Sequence, residues 1–213
     1  MKNLIITLLL VFNICAFGQT KYKKGIYLTF EEIIQNNPSI DINVELEKRE
    51  ETETKKNEGN DYKLNPLDKS VDRSFLEKRV YAYSDGDNLY LNCTKLQLNK
   101  WYVKVLNDKK YFIFKGSFPD NYTEYGIQFD FLPYMFGGLG GELGGGLSPK
   151  NIIKFRFPYI MEKSTKKITF VSNNNIDKIL SSNKELLDRY KQNPNKQKID
   201  TILRYLIEWN EKQ

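Results

Sequence analysis

Arg79-Val80-Tyr81-Ala82-Tyr83-Ser84-Asp85-Gly86-Asp87-Asn88-Leu89-Tyr90-Leu91-Asn92-Cys93 is the stretch whose reading decides the fold. Aromatic and aliphatic residues run up to an Asp-Gly pair and away from it, the local chemistry of a β-hairpin. Trp101 to Leu106 and Tyr111 to Lys115 repeat the pattern around a turn at Asn107-Asp108. Two antiparallel ribbons in succession predict an antiparallel sheet at the centre of the chain.

On the N-terminal side, Thr29 with Glu32 three residues later predicts a capping box. The helix it opens runs to about Gln35 and stops before Asn37-Pro38, with Phe30, Ile33 and Ile34 turned toward the sheet. Ile40, Ile42, Val44 and Leu46 alternate with polar residues, which predicts a half-buried strand. Lys48 to Asn60 is nearly all charged or polar and reads as a solvated segment. Tyr62 to Leu67 is a short strand broken at Pro66, and Asp68 to Lys78 is a polar connection.

On the C-terminal side, Ile127, Phe129 and Phe131 alternate as one further strand. Ile153, Phe155 and Phe157 oppose Lys154 and Arg156, and a turn near Ser164-Thr165 pairs that strand with Lys167 to Ser172. Helical signals follow. Asn174 or Asn175 caps a helix carrying Ile176, Ile179 and Leu180, and Ser182 with Glu185 restarts it as far as Tyr190. A last helix over Lys196 to Glu211 puts Ile199, Ile202, Leu203, Leu206 and Asn210 on one stripe, which must cover the sheet. The expected architecture is a single α+β domain. An antiparallel sheet of β-hairpins is covered by a short N-terminal helix and by C-terminal helices.

Two motifs carry a resemblance. Gly25-Ile26-Tyr27-Leu28-Thr29-Phe30-Glu31-Glu32, ending at Asn37-Pro38, and Tyr81-Ala82-Tyr83-Ser84-Asp85-Gly86, continuing Asn88-Leu89-Tyr90-Leu91, resemble a group of small exported proteins of Bacteroidota-type bacteria that form a domain of unknown function. The resemblance spans about Gly25 to Phe118. It implies export and a β-rich fold, and it brings no activity and no catalytic residue.

Export is also the reading of the first residues. Lys2, the apolar run Leu4 to Phe12 and Ala16-Phe17-Gly18 make a secretory signal peptide over residues 1–18, leaving 19–213 as the domain. The apolar run is shorter than the roughly 20 residues a spanning helix needs. The expected location is the periplasm or cell envelope, or outside the cell. Removing residues 1–18 takes away Lys2 and no acid, so the formal charge of +6 falls by one unit. The charges are interspersed, which gives no nucleic-acid signature. Cys93 alone remains after cleavage, in an alternating stretch that predicts a buried thiol.

The chain has no histidine. That excludes Ser-His-Asp and Cys-His catalysis and every metal site built on imidazole. Asp85, Asp87 and Asn88 bring three oxygen side chains together, but their spacing is not a calcium loop and reads as turn chemistry. The tyrosines and phenylalanines read as sheet core rather than a stacking platform. Glu31/Glu32 and Glu50/Glu51 are adjacent and so cannot converge on one face. The most unusual stretch is the Gly-rich apolar loop at 131–148, with Gly137, Gly141 and Gly145 at intervals of four. It reads as a loop or as a contact surface for a membrane or protein partner, through Phe136, Leu139, Leu143 and Leu147. No cofactor, metal or nucleic acid is expected. The functional expectation is an exported, non-catalytic binding module. The alternative is a hydrolase using carboxylates or a Ser-Lys pair.

Overall fold

The computed structural model describes residues 22–68, 71–119, 122–123, 152 and 155–213. The two predicted hairpins form its centre. β4 (Ala82–Ser84) pairs with β5 (Leu89–Asn92), and β6 (Tyr102–Asn107) pairs with β7 (Tyr111–Gly116), all antiparallel. β1 (Gly25–Tyr27) lies outside β4, and β8 (Phe157–Glu162) and β9 (Ile168–Phe170) extend the sheet beyond β7. The path is β1-β4-β5-β6-β7-β8-β9. A further hairpin, β2 (Val44–Lys48) with β3 (Tyr62–Pro66), joins the path at β6.

That junction makes the sheet fork. At its start β6 pairs with both neighbours, Tyr102 lying opposite Asn92 of β5 and Tyr62 of β3. Farther along, at Val105 to Asn107, the edge that met β3 meets β7 instead, across a register shift. The irregularity lets β6 bend away from one partner and toward the other.

Period-two alternation explains how both faces are buried. Tyr27, Ala82, Leu89, Leu91 and Val103 look into the main core. Their neighbours Ile26, Tyr83, Tyr90 and Tyr102 look the other way, into a smaller core closed by Leu64 of β3 and by Leu76. Leu76 belongs to α3 (Arg73–Lys78), whose Asp72 carboxylate accepts from Ser74 N–H at 3.0 Å. The polar connection expected over Asp68 to Lys78 therefore contains a capped helix.

Helix α1 (Phe30–Ile34) starts as its capping box predicts. Thr29 Oγ1 accepts from Glu32 N–H at 3.2 Å, while the Glu32 carboxylate reaches back to Leu28 N–H at 2.7 Å. Phe30 lies edge-on to Tyr81 and to Phe112 and so ties α1 to both halves of the sheet. Ile34, expected beside it, is 50% exposed, because a five-residue helix turns it away from the core.

At the other end α4 (Ile176–Leu180), α5 (Lys184–Gln192) and α6 (Ile199–Glu211) form the predicted helical cover. α5 is capped by Asn183, which accepts from Leu186 N–H at 3.0 Å, and not by Ser182. Ser182 Oγ accepts instead from the Trp209 indole at 2.9 Å. α6 buries Ile202, Leu203, Leu206 and Trp209 against the sheet, each contributing about 2 kcal/mol of apolar transfer free energy. Asn210 lies on the same face, fully buried. Its side-chain amide accepts from Tyr111 N–H at 3.0 Å and donates to Tyr111 C=O at 2.8 Å, and donates also to Asn107 Oδ1.

Two strand expectations are corrected. The alternation from Ile40 becomes regular strand only at Val44, and Ile40 makes a single bridge to Ile26. Of the strand expected over Ile153, Phe155 and Phe157, Phe155 and Arg156 are not strand and β8 begins at Phe157, while Ile153 and Lys154 lie outside the described residues. The strand expected at Ile127 to Phe131 and the Gly-rich loop lie outside the described residues.

The largest departure is at Lys48 to Asn60. The charged composition suggests solvent, and Lys48, Glu50, Thr52, Lys56, Asn57 and Glu58 are exposed, yet the segment forms α2 (Glu51–Asn57) and sends Arg49 and Asn60 into the fork of the sheet. The Arg49 side chain is 0% exposed. Its guanidinium lies 3.4 Å from the centre of the Trp101 ring and donates to the carbonyls of Glu58 and Asn60, both at 2.8 Å, and to the Glu53 carboxylate at 3.1 Å. Burial pushes its pKa down, and Glu53 opposes that shift. Asn60, fully buried, donates to the carbonyls of Leu98 and Lys100 and accepts from Ser117 N–H at 2.7 Å. Beside it Arg156 bonds Asp61 at 2.6 Å and the Gly59 carbonyl at 3.1 Å. Gly59 has φ +78°, and a Cβ there would meet the Trp101 ring at 2.6 Å, so the tip of this loop requires glycine.

Candidate functional site

Clefts that could take a ligand flank β9 among the described residues. A cleft of about 600 Å³ lies beside it, walled by Tyr81, Lys95, Gln97, Lys166, Lys167 and Asn175. Four separate segments supply these side chains, Tyr81 standing just before β4. Lys95 and Gln97 come from the turns that follow β5, where Asn92 Oδ1 accepts from Thr94 N–H at 3.0 Å and starts the reversal. Lys166 and Lys167 come from the turn between β8 and β9. That turn is held by Lys166 N–H to Glu162 C=O at 2.8 Å, with Lys166 at φ +61°. Asn175 is fixed by its own amide, which donates to Phe170 C=O at 2.7 Å and accepts from Ser172 N–H at 2.9 Å.

The electrostatics of this cleft are one-sided. No carboxylate lines its wall among the described residues. Lys166 is partly neutralised from outside by Glu31, Nζ to Oε1 2.6 Å, and that bond holds the Glu31 carboxyl below its usual value. Lys95 and Lys167 form no ion pair among the described residues. Burial, with the Glu31 charge, raises the Tyr81 phenol pKa, so it stands as a neutral donor at neutral pH. Ammonium groups, an amide pair and a phenol can bind an anion. They offer no carboxylate for general acid-base work.

Other candidates resolve differently. Asp85 Oδ1 accepts from the N–H groups of Asp87 at 2.8 Å and Asn88 at 2.7 Å, and Oδ2 accepts from the Tyr90 hydroxyl at 3.1 Å. The carboxylate is taken up by the turn it builds, as its sequence position suggests. No cluster of three or more potential metal-ligating acids or cysteines occurs among the described residues. Partial burial would by itself raise the Asp85 pKa, but the bonds from Asn88, Asp87 and Tyr90 outweigh it and hold the group below the ordinary carboxylate value. A carboxyl depressed in the folded state lends stability above its unfolded pKa and loses it as pH falls through the folded one. Asp85→Asn is therefore expected to flatten the acid side of the stability profile below about pH 4, read from urea midpoints against pH. An unchanged slope would show that the turn does not bind the ionised form preferentially.

A smaller cleft of about 300 Å³ carries Asp87 and Asp108 on its rim beside Tyr22 and Lys104. The Tyr22 phenol pKa is driven far up there, first by burial and then by the Asp108 charge. Lys163 is partly buried. Its Nζ donates to Asp108 C=O and lies 4.6 Å from the centre of the Phe112 ring, and burial lowers its pKa. No lysine ammonium bonds a serine among the described residues, so no Ser-Lys dyad is formed there. Cys93 is buried as expected, and burial pushes its thiol well up. Tyr83, Tyr90 and Tyr102 pack as core.

A family model described as Family of unknown function (DUF6563) matches residues 25–213. The chain belongs to this family. The DUF6563 match opens at Gly25, the first residue of β1, and takes in every described strand and helix. The resemblance carried by Gly25 to Glu32 and by Tyr81 to Gly86 thus extends over the whole described fold. No curated protein and no solved structure matches the chain. No described helix is long and apolar enough to cross a membrane.

The sequence-predicted contact residues Phe136, Leu139, Leu143 and Leu147 lie outside the described residues. The cleft residues were not visible as a group. The signal available in sequence was the paired Lys166-Lys167 at a turn, and nothing local ties it to Lys95 or Gln97.

Proposed function

We propose that this DUF6563 protein is an exported, non-catalytic binding module that holds an anionic ligand in the lysine-walled cleft beside β9. The observation that carries the reading is the wall itself: Lys95, Lys166 and Lys167, with no carboxylate among the described lining residues. Such a site attracts negative charge and fixes it by hydrogen bonds. Export rests on the signal-peptide pattern of residues 1–18.

Tripolyphosphate, titrated by calorimetry into the mature protein, tests the site. Binding is expected at 50 mM salt and should weaken strongly at 0.5 M. Lys95→Glu with Lys167→Glu should cost at least tenfold while leaving the urea midpoint near wild type. No binding by wild type, or equal binding by the double variant, would sink the cleft as an anion site. The export half is read from the same preparation by mass spectrometry of secreted or periplasmic material, which should begin at Gln19. A full-length product retained in the cytoplasm would remove it.

A further inference from the structure

The lysine-walled cleft has a counterpart on the other face of the same strand. Ile168 and Phe170 border the first cleft. The second, about 610 Å³, is bordered by Ile160 and Ile179, with Trp209 in its floor. Ile160 lies directly opposite Thr169, so both belong to the face away from Ile168. Lys167, Thr169 and Asn175 line both clefts. The second adds Lys110 and Lys178 and, among the described side chains, carries one carboxylate, Glu162, whose Oε2 is occupied by the Thr165 hydroxyl at 2.8 Å. Five lysines thus stand around one short strand, on a chain whose whole formal charge is +6.

Among the described strands, the one between them is at the end of the sheet. Among the described residues β9 pairs with β8 alone. Glu162 N–H donates to Lys167 C=O and Val171 N–H donates to Pro158 C=O. Hydrogen-bonded pairs alternate along an antiparallel ladder, so Thr169 is the next residue bonded to β8. The N–H and C=O of Ile168 consequently face away from β8. Asn175 closes the edge beyond that point by bonding Phe170 C=O.

We infer that the partner is an extended acidic polypeptide segment, which adds as a strand along Ile168 and drops its alternate side chains into the two basic clefts. This rests on the anion-binding reading above. A strand added at an edge bonds through its backbone and sends successive side chains to opposite faces. That geometry uses both clefts at once, which a small anion cannot do. The lysines match the charge, and the outward-facing peptide groups of Ile168 favour a polypeptide over a polyanion without amides.

The probe is blocked octaglutamate, compared with the same peptide N-methylated at alternate amides, which keeps its charge and loses one edge of strand bonding. Wild type should bind octaglutamate with one-to-one stoichiometry, and N-methylation should cost at least tenfold. The Ile168 amide should exchange more slowly in the complex. Lys178→Glu should weaken octaglutamate about tenfold and leave tripolyphosphate, which needs only the first cleft, unchanged. Equal affinity for the two peptides would overturn strand addition. So would linear polyphosphate of similar charge binding as tightly as octaglutamate, or Lys178→Glu leaving octaglutamate unaffected. In each of these cases tripolyphosphate binding in the first cleft still stands. Loss of tripolyphosphate binding by wild type removes both readings.

Discussion

Arg49→Ala is expected to lower the unfolding free energy by about 3 kcal/mol. The guanidinium is wholly enclosed and joins an aromatic face, two loop carbonyls and a carboxylate. Alanine leaves the Glu58 and Asn60 carbonyls without a donor inside the fork, and each orphaned group costs about 1–3 kcal/mol. It also removes the stack on Trp101, worth about 1 kcal/mol. The Glu53 carboxylate is 31% exposed and recovers part of its loss from water, which is why the total stays near the low end for a broken buried ion pair. Arg49→Lys should recover less than half of the loss, because an ammonium has no planar fork and no flat face to lay on the indole. Urea midpoints at constant m-value check both. A loss under about 1 kcal/mol for the alanine variant would mean the guanidinium is solvated and the fork is not plugged.

The second large effect is expected at Asn210. Asn210→Leu should cost about 2–3 kcal/mol although it adds apolar volume to an apolar helix face. The reason is that Asn210 is a surrogate strand for Tyr111. Its amide meets that residue's N–H at 3.0 Å and its C=O at 2.8 Å, and it reaches Asn107 as well. Leucine leaves these groups buried without partners and crowds the Tyr111–Trp209 contact, whose ring centres are 4.8 Å apart. Asn210→Asp keeps the acceptor for Tyr111 N–H and loses the donors, so it should fall between leucine and wild type. Thermal unfolding with Trp209 fluorescence reports both stability and the seating of α6. A neutral leucine variant would show that α6 is held by its apolar stripe alone.

These positions show where reading from sequence stops. The hairpin at Tyr81 to Leu91 was legible because an Asp-Gly turn and alternating side chains are interactions between near neighbours, and the turn's own carboxylate completes it. The α1 capping box and the stripe of α6 were legible for the same reason. Asn210 was placed on the buried stripe by its spacing, but its task depends on Tyr111, 99 residues away. Most charges of Lys48 to Asn60 are exposed, as composition implies, because the average partner of a charge is water, but composition could not single out the buried Arg49. Arg49 found Trp101 and a ring of carbonyls instead, and only the forked sheet brings those together.

By itself the sequence determined a hairpin-built α+β fold, its helical cover, the buried thiol of Cys93 and the exclusion of imidazole chemistry, since each depends on residue identity or short-range period. The tertiary structure decided the fork of β6, the buried guanidinium and the basic clefts on both sides of β9. Each of these joins segments distant in the chain, such as Asn60 with Ser117 or Lys95 with Lys167. Local propensity carries no information about such meetings, because they exist only once the strands have chosen their neighbours.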